Sequence, residues 1–478
     1  MSVAPPVAKL QATVKPFQFF TLSFGVIVGV GWVTILGAWL TQAGPLGTAL
    51  GLAAGGGLMV IIGLCYAEMV TLVPASGGEP AFAFEAFGPG PYFAVGWLLA
   101  LAFLAAGVFE AISLGWVVGA LVPGVEGESM YQLLGAPVRV GTVALAFAGT
   151  IVLTGVNVRG VAAAARVQEI LIVAFLGMAV LFVGTGLLRG DLANLRPYVV
   201  ANGSGAQWGG VLAIFMTGSF WFAGFSVVPQ MMEERAPGAP LRRVAQMIVW
   251  SIVAGVVFKV LVVISASMTM PWRDLVSLPL PTAAAFERAF NSRLLAGIVL
   301  LTGLVGLVSA LNSVIISASR ILYSLGRSRM IDHRFARLHP RFGTPSFALV
   351  LGACFMLAGV LAGKQAVIPI VNISSTGLAF AFLATCLAVI RLRRREPDRA
   401  RPYRVPGGVA TAWVGVAGSV LSLGLSIYQP YKDAGNTAPV EWLVLGVWCV
   451  LGAAFWMMGR ARRATVSEEE LRGLILPL

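Results

Sequence analysis

Apolar runs of about 20 residues recur along the whole chain and are separated by short polar connections. A helix of this length crosses the hydrocarbon core of a bilayer, which is roughly 30 Å thick. The pattern therefore predicts twelve membrane-spanning helices, at 17–42, 45–73, 91–122, 140–158, 167–188, 208–231, 245–270, 294–325, 346–363, 366–390, 409–428 and 441–459. The first run is longer than the apolar region of a secretory signal peptide, so no cleaved signal is predicted.

Composition agrees with an all-α integral membrane protein. The 478 residues are 58% hydrophobic and 11% charged, whereas soluble domains carry about 25% charged residues. The net charge of +13 reflects membrane orientation rather than nucleic-acid binding, because most Lys and Arg residues fall in segments on one side of the predicted topology. The positive-inside rule places that side, with both termini, in the cytoplasm of a cell-membrane protein.

The runs divide the chain into five parts: a cytoplasmic tail (1–16), a core of ten helices (17–390), a basic cytoplasmic loop (391–408), two further helices (409–459) and a C-terminal tail (460–478). Within the core, 17–188 and 208–390 are predicted to be two repeats of five helices.

Cysteine and histidine usage argues against metal or disulfide chemistry. The four cysteines lie in or beside apolar runs, and the two histidines, His333 and His339, share one loop. We find no catalytic constellation and predict neither an enzyme nor a cofactor. No ring of acidic residues or carbonyl filter suggests a channel, and a transporter-like sensor usually carries an added soluble domain. A carrier is the favoured class.

Two predicted spans are interrupted by helix-breaking residues. The first contains "GVIVGVGW" at 25–32, and the sixth contains "FMTGSFWFAGFSVVPQMMEE" at 215–234. Each glycine in a helix interior costs roughly 1 kcal/mol relative to alanine. Gly25 and Gly29 also form a GxxxG pattern that is typical of helix packing. Because the breaks occupy matching positions of the two halves, we favour a binding site at the bilayer midplane.

Six motifs, in order, resemble the amino acid–polyamine–organocation (APC) family of transporters. They are "GVIVGVGWV", "YAEMVTLVPASGGEPAFAFEAFG", "NVRGVAAAARVQ", "FWFAGFSVVPQMMEE", "SRILYSLGRSRMIDHRFARLHPRFGTPSFAL" and "REPDRARPYRVPG". The resemblance implies the leucine-transporter-type fold: a 5+5 inverted repeat with helices 1 and 6 broken, plus two C-terminal helices. This chain departs from the pattern at Trp32, at Glu79 and at Phe175, where proton-coupled relatives carry a lysine.

For an amino acid substrate, the resemblance implies a site between the two breaks. The carboxylate would meet free N–H groups at Gly29, Val30 and Gly31, because a half-helix N-terminus binds anions. The amino group would meet backbone carbonyls of the sixth helix. The predicted substrate-binding residues are Val28, Gly29, Val30, Gly31, Trp32, Glu110, Phe220, Trp221, Phe222, Ala223 and Gly224.

Charged residues inside apolar runs are costly and mark candidate sites. Glu110 lies midway along the third run and is a candidate for binding a substrate ammonium or a coupling proton. Lys259 lies in the seventh run. A structural ion pair between these two residues is the alternative.

Polar residues of the eighth run provide a candidate cation site. Ser309, Asn312 and Ser313 lie on neighbouring faces of the predicted helix, and their oxygens would suit Na⁺. Hydrogen bonding between helices is the alternative. Near the cytoplasmic ends, Glu68, Glu233 and Glu234 are predicted to pair in a gate with Arg235, Arg242 and Arg243.

The sequence thus predicts a secondary transporter that carries an amino acid by alternating access, either coupled to H⁺ or Na⁺ or acting as an exchanger. The alternative is a permease for a small amine such as ethanolamine or a polyamine. The bilayer and the small-molecule substrate are the predicted partners, and no oligomeric state is predicted.

Overall fold

The computed structural model describes residues 10–476, apart from 123, 134, 201–207, 279, 436, 461–462 and 464–465. Residues 1–9 of the predicted N-terminal tail and the end of the C-terminal tail lie outside the described residues. The described α-helices are α1 (Pro16–Val28), α2 (Gly31–Thr34), α3 (Leu36–Leu72), α4 (Glu79–Phe87), α5 (Pro89–Leu121), α6 (Val140–Val158), α7 (Val161–Arg189), α8 (Gly209–Met216), α9 (Gly218–Trp221), α10 (Val227–Gln230), α11 (Leu241–Thr269), α12 (Trp272–Leu275), α13 (Pro281–Phe290), α14 (Arg293–Arg327), α15 (Ser346–Val360), α16 (Val367–Arg395), α17 (Gly408–Asp433), α18 (Val440–Met458) and α19 (Glu468–Ile475).

Eleven helical segments of the described chain are long and apolar enough to cross a membrane. A further apolar helix, α15, has 15 residues and is shorter than a typical span. The all-α membrane class is therefore confirmed, whereas the number of twelve spans stays a prediction. One connection contains a hairpin that the sequence analysis did not predict, in which β1 (Ser129–Leu133) pairs antiparallel with β2 (Ala136–Arg139).

The first and sixth spans are both discontinuous. Helix 1 comprises α1, α2 and the start of α3, and it ends where Gly44 leaves helical geometry with φ 71°. Its break lies at Gly29, whose φ of 42° ends α1. Helix 6 comprises α8, α9, the 3₁₀ turn Ala223–Ser226 and α10, and it leaves α-helical geometry at Phe222. Both predicted interruptions are present.

Helices of the two halves pack in a regular pairing. The second span packs against the seventh (α3 on α11), the third against the eighth (α5 on α14) and the fourth against the ninth (α6 on α15). The middle of helix 6 packs against α1. Each of the first four spans thus contacts the span five positions later, which is the pairing expected from the predicted repeat of five helices.

The last two spans lie outside this core. Helix α17 packs on α16, and α18 packs on α5 and α16. Two tryptophans attach α18 to α5: the indoles of Trp97 and Trp448 stack at 4.6 Å between ring centroids. Each indole N–H donates to the backbone carbonyl of the other residue, at 2.8 and 2.9 Å. These reciprocal bonds satisfy both buried donors inside an apolar contact.

A glycine allows the two broken helices to approach each other. A Cβ added at Gly224 would lie 2.7 Å from the backbone nitrogen of Ile27 and would also meet the carbonyl of Ser23. Both obstacles are backbone atoms of α1, which side-chain rearrangement does not move. Gly224 therefore determines how closely the middle of helix 6 packs on helix 1.

Replacing Gly224 with alanine should separate these helices. We expect G224A to lower the free energy of unfolding by about 1–3 kcal/mol, the usual cost of overpacking, and to reduce transport. Thermal unfolding of the purified protein measures the first effect. Gly424→Ala is the matched control, since no heavy atom lies within 4 Å of its added Cβ. Equal stability of the two variants would contradict the role given to Gly224.

Candidate functional site

A small cavity lies between the breaks of helices 1 and 6. Its volume of about 30 Å³ is enough for roughly one water molecule. It is lined by residues of helix 1 (Val26, Ile27, Val28, Gly29, Val30, Gly31), α5 (Ala102, Phe103, Ala106, Glu110), helix 6 (Phe220, Trp221, Ala223), α11 (Lys259), α14 (Val314) and α16 (Ser374, Leu378). Eight of the eleven predicted substrate-binding residues therefore meet at one cavity, together with Lys259.

The break in helix 1 leaves backbone N–H groups without a backbone acceptor. The N–H of Gly29 donates to the carbonyl of Gly25 at 3.1 Å, so it is not free as predicted. The next backbone hydrogen bond along helix 1 is donated by the N–H of Val33 to the carbonyl of Val30, at 2.9 Å. Within the described chain the N–H groups of Val30, Gly31 and Trp32 have no backbone acceptor. The unpaired N–H groups of the half-helix thus begin one residue later than predicted.

Glu110 presents a carboxylate to this break. Its side chain is 6% exposed, and its Oε1 lies 3.3 Å from the position that a Cβ of Gly29 would occupy. Its Oε2 is buried and has no hydrogen-bond partner among the described residues. An unpaired buried carboxylate oxygen is costly, so this atom is suited to accept a hydrogen bond from a ligand.

Lys259 provides a positive charge held among aromatic rings. Its Nζ lies 5.8 Å from the ring centroid of Trp39, 5.2 Å from that of Trp221 and 5.9 Å from that of Phe222. Aromatic faces attract a cation at this range. Lys259 and Glu110 attract each other electrostatically, yet within the described part of the chain they form no ion pair at 4.0 Å or less. The direct ion pair between Glu110 and Lys259, which was the alternative interpretation, is therefore not formed.

Trp221 covers the site. Its ring lies against Gly31, where an added Cβ would come within 2.9 Å of Cη2. The same ring packs edge-to-face on Trp39 and Phe220, and its indole N–H is buried without an acceptor among the described residues. The cavity is small because this ring occupies the space between the two breaks.

Three predicted substrate-binding residues lie outside the cavity. Trp32 was expected to shape the pocket, but its ring stacks on Phe182 at 5.1 Å and packs edge-to-face on Phe175 and Phe258. It therefore fills the interface of helix 1 with α7 and α11. Phe222 is fully buried and contributes its ring to the surroundings of Lys259. Gly224 is a packing residue, as described above.

The candidate cation site is occupied by protein donors. The Gln168 amide of α7 donates to the hydroxyl of Ser309 and, at 3.1 Å, to the carbonyl of Thr21. The Asn312 amide donates to Oε1 of Gln168 at 3.2 Å, and the Ser313 hydroxyl donates to the carbonyl of Leu22 at 3.2 Å. The oxygens proposed for Na⁺ are thus engaged in hydrogen bonds between helices, which was the alternative interpretation.

Gln168 was not identified from the sequence, although it ends the quoted motif "NVRGVAAAARVQ". Phe175 stands where proton-coupled relatives carry a lysine. Its ring packs against Phe24 and Trp32 of helix 1 and Phe258 of α11, so it brings no polar group to helix 1. The polar residue of α7 that reaches the carbonyls of helix 1 lies seven residues earlier. That distance is two helical turns on the same face, which a count along the sequence does not resolve.

Ion pairs close the end of the bundle that carries both described chain ends, which we call the charged end. Arg320 pairs with Glu234 at 2.8 Å, and both side chains are 1% exposed. Arg327 makes two 2.7 Å hydrogen bonds to Glu233. Leaving either charge unpaired would be strongly destabilising.

The partners predicted for these acids are wrong. Glu68 accepts from Arg393 at 2.9 Å and from the backbone N–H of Val405 at 2.7 Å, so it anchors the basic loop. The arginines that pair with Glu233 and Glu234 come from α14 rather than from the segment after helix 6. Arg235 instead donates to the carbonyl of Ala239.

Comparisons with known proteins agree with this arrangement. A family profile described as amino acid permease matches residues 14–454. The branched-chain amino acid permease BcaP of Bacillus subtilis is 26% identical over 408 residues, which cover 83% of this chain and 84% of that protein. The methylthioribose transporter of the same species is 25% identical over 468 residues, or 96% and 95% of the two chains.

A third relative, the amino-acid permease RocE of Bacillus subtilis, is 25% identical over 402 residues, or 81% of this chain and 82% of that protein. The family profile extends over the broken helices and the cavity alike. The chain therefore belongs to the amino acid permease family of the APC transporters and is a multi-pass membrane transport protein rather than an enzyme.

Proposed function

We propose that this permease transports a neutral amino acid across the cell membrane by alternating access. The observation that carries the proposal is the coexistence, in one cavity, of the unpaired carboxylate of Glu110, the ammonium of Lys259 and the free N–H groups after Gly29. A zwitterion has one group of each sign, and these protein groups supply a complement for both.

The carboxylate of the substrate binds the N–H groups of Val30 and Gly31 and lies near Lys259. Trp221 touches both Gly31 and the surroundings of Lys259, so its displacement brings the amides and the ammonium into contact with the same ligand. The amino group binds Glu110 and backbone carbonyls of helix 6. The N-terminus of a half-helix favours the anion, while the buried carboxylate favours the cation.

The rest of the cavity favours an apolar side chain. Ile27, Phe103, Ala106, Val314 and Leu378 line it, and they offer no partner for a further charge. Because Glu110 and Lys259 are already used by the zwitterion, a charged substrate side chain would be left unpaired. Relatives are named for branched-chain amino acids and for methylthioribose, and the cavity lining favours the first of these substrate classes.

Transport requires both breaks to act as hinges. The cavity of about 30 Å³ does not hold an amino acid, so Trp221 and the outer part of helix 6 move when substrate enters. The charged end, which the positive-inside rule places in the cytoplasm, is closed by the pairs of Arg320 and Arg327. Opening this end separates helix 6 from α14 while the other end closes.

A melting assay tests the substrate class. Neutral amino acids such as leucine and valine should stabilise the purified protein by roughly 2.7 kcal/mol at about 100 times their Kd. Isobutylamine lacks the carboxylate and should bind at least about 30-fold more weakly than leucine. Arginine and methylthioribose should also bind at least about 30-fold more weakly. Equal stabilisation by leucine and isobutylamine would contradict carboxylate recognition and overturn the proposal.

Two substitutions test whether leucine binds at the cavity. Glu110→Gln and Lys259→Met should each lose about 2 kcal/mol or more of leucine binding free energy, because one charge of the ligand is then buried without its partner. Lys364→Met is the matched control, since Lys364 pairs with Glu126 at 3.2 Å away from the cavity. A leucine affinity that the two cavity variants leave unchanged would place the site elsewhere.

We further propose that Na⁺ does not drive this transporter, because the Gln168 amide group fills the position between helix 1 and α14. Leucine uptake should be the same, within about twofold, in sodium and in choline buffers. In Gln168→Ala the carbonyl of Thr21 and the hydroxyl of Ser309 lose their amide donor, and we expect lower stability. Uptake by the unaltered protein that requires sodium would refute this assignment.

A further inference from the structure

Glu79 is a second buried carboxylate that the proposed transport cycle has not used. It begins α4, in the connection between the second and third spans, and its side chain is fully buried. Oε1 accepts a hydrogen bond from the hydroxyl of Ser226, and Oε2 accepts one from the side-chain amide of Gln230. Both donors belong to the second half of helix 6, so Glu79 joins helix 6 to a segment that packs on α5 and α16.

The contact around Glu79 is tight. The "SGGEP" segment lies directly on helix 6: the Ser76 hydroxyl donates to the carbonyl of Gln230 at 3.2 Å. Gly78 adopts a φ of 60°, and a Cβ there would come within 2.9 Å of Nε2 of Gln230. Gly78 thus allows the backbone to carry Glu79 against helix 6.

Glu79 has neutral neighbours. Tyr66 of α3 points its hydroxyl towards the carboxylate, and that hydroxyl has no hydrogen-bond partner among the described residues. From α16, Cys386 faces Tyr66. From α5, the hydroxyl of Tyr92 donates to Ser324. These groups do not supply a positive charge.

Nearby charged groups are paired elsewhere. Arg320 and Arg327 of α14 bind Glu234 and Glu233. Glu85, on the same helix as Glu79, is bound by Arg399 and Arg472, each at 2.8 Å. In the described chain no Lys, Arg or His lies within 4.0 Å of the Glu79 carboxylate. Burying a carboxylate without a cation is costly.

We propose that Glu79 binds a proton each time the charged end closes and releases it to water each time that end opens. The proton adds to one carboxylate oxygen, no other bond is broken, and the proton comes from water at the charged end. This inference rests on the proposed alternating access and adds to it a titratable site outside the substrate cavity.

Two features of the closed state favour the protonated form. Burial raises the pKa of Glu79 to about 7, against the opposing effect of the donors from Ser226 and Gln230 and of the nearby Tyr66 hydroxyl. The side-chain oxygen of Gln230 is buried without a donor, so a carboxylic acid O–H could donate to it after the amide turns over. Once helix 6 moves away, water solvates the carboxylate, and the ionised form is favoured.

The sign of the linkage follows from this shift. The closed, folded state holds the proton on Glu79 more tightly than a hydrated carboxylate does. The stabilisation of the closed state by this proton is therefore complete below the ordinary carboxyl pKa and is lost as pH rises through about 7. Acidification at the charged end should therefore favour its closure. By reciprocity, opening that end lowers the proton affinity of Glu79.

Infrared spectroscopy of the full chain in lipid vesicles tests the proton site without any substrate. The C=O stretch of protonated Glu79 should disappear as pH rises through neutral, so the change in this band should be smaller by one carboxyl group in Glu79→Gln. Glu396→Gln, a carboxylate at the same end that pairs with Arg395 and Arg399, should retain the full change. An identical titration in Glu79→Gln would overturn the proposal.

A second variant guards against misfolding of the first. Ser226→Ala removes one donor to the ionised carboxylate, so the infrared midpoint should rise by roughly one pH unit. A midpoint that stays in place would show that the titrating group is not the one bonded to Ser226, and the proposal would fail.

Thiol labelling tests the link to opening. A cysteine at Ala75, which is 2% exposed, reports access to the charged end, and its labelling is normalised to a cysteine at the exposed Gly238. Lowering the pH should reduce the normalised rate by up to about tenfold per pH unit, and the Glu79→Gln background should abolish this dependence. A pH dependence that survives the substitution would overturn the coupling.

The outcomes separate this inference from the proposed function. If no amino acid binds, but the infrared band depends on Glu79, the substrate assignment fails and the proton site stands. If leucine binds as predicted, but the band is unchanged in Glu79→Gln, the transport proposal stands and the proton site fails.

Discussion

The structure depends on one constraint: inside a membrane every backbone polar group must have a partner, because lipid supplies none. Helices 1 and 6 each stop being α-helical near their middle, so both breaks must be enclosed by protein. Three glycines make this possible by close backbone approach. Gly224 lies on α1, Gly31 lies under the ring of Trp221, and a Cβ at Gly306 of α14 would lie 2.7 Å from the carbonyl of Gly29. The groups that remain unpaired lie where a polar ligand can reach them. The weakness of these two helices is thus the origin of the site.

A second regularity concerns which charges have partners. At the charged end, the acids Glu68, Glu233 and Glu234 each bind an arginine, and these pairs hold the bundle closed. Glu110, Lys259 and Glu79 are buried without an ion pair among the described residues. Since an unpaired buried charge is costly, these three groups are where a ligand or a proton gains most by binding. All three lie beside the broken helices: Glu110 and Lys259 at the cavity between helices 1 and 6, and Glu79 at the second half of helix 6.

Much of the architecture could be predicted from the sequence, because span length and glycine interruptions are local properties. The two breaks and the membrane class follow from such signals, whereas the meeting of Glu110 with Gly29 and Trp221 was implied by the family resemblance. Other contacts between distant spans could not be predicted, since they depend on the rotation of each helix about its axis. Trp32 follows directly after a cavity residue but points to the opposite side. Gln168, rather than a residue at Phe175, brings a polar group of α7 to the backbone carbonyls of helix 1, and Arg320, within an apolar run, is the partner of Glu234. Glu79 was recognised only as a departure from the family pattern.

The central claim is that helix 6 moves about its break when substrate binds between the two broken helices. Pulsed electron resonance distances between spin labels at Gly238 and Arg337, two exposed positions at the charged end, test it most directly. The exposed Cys354 and Cys449 would be replaced first. We predict that leucine changes the relative populations of at least two distances, and that Lys259→Met abolishes this response. A single distance distribution that saturating leucine leaves unchanged, in protein shown to bind it, would contradict the account.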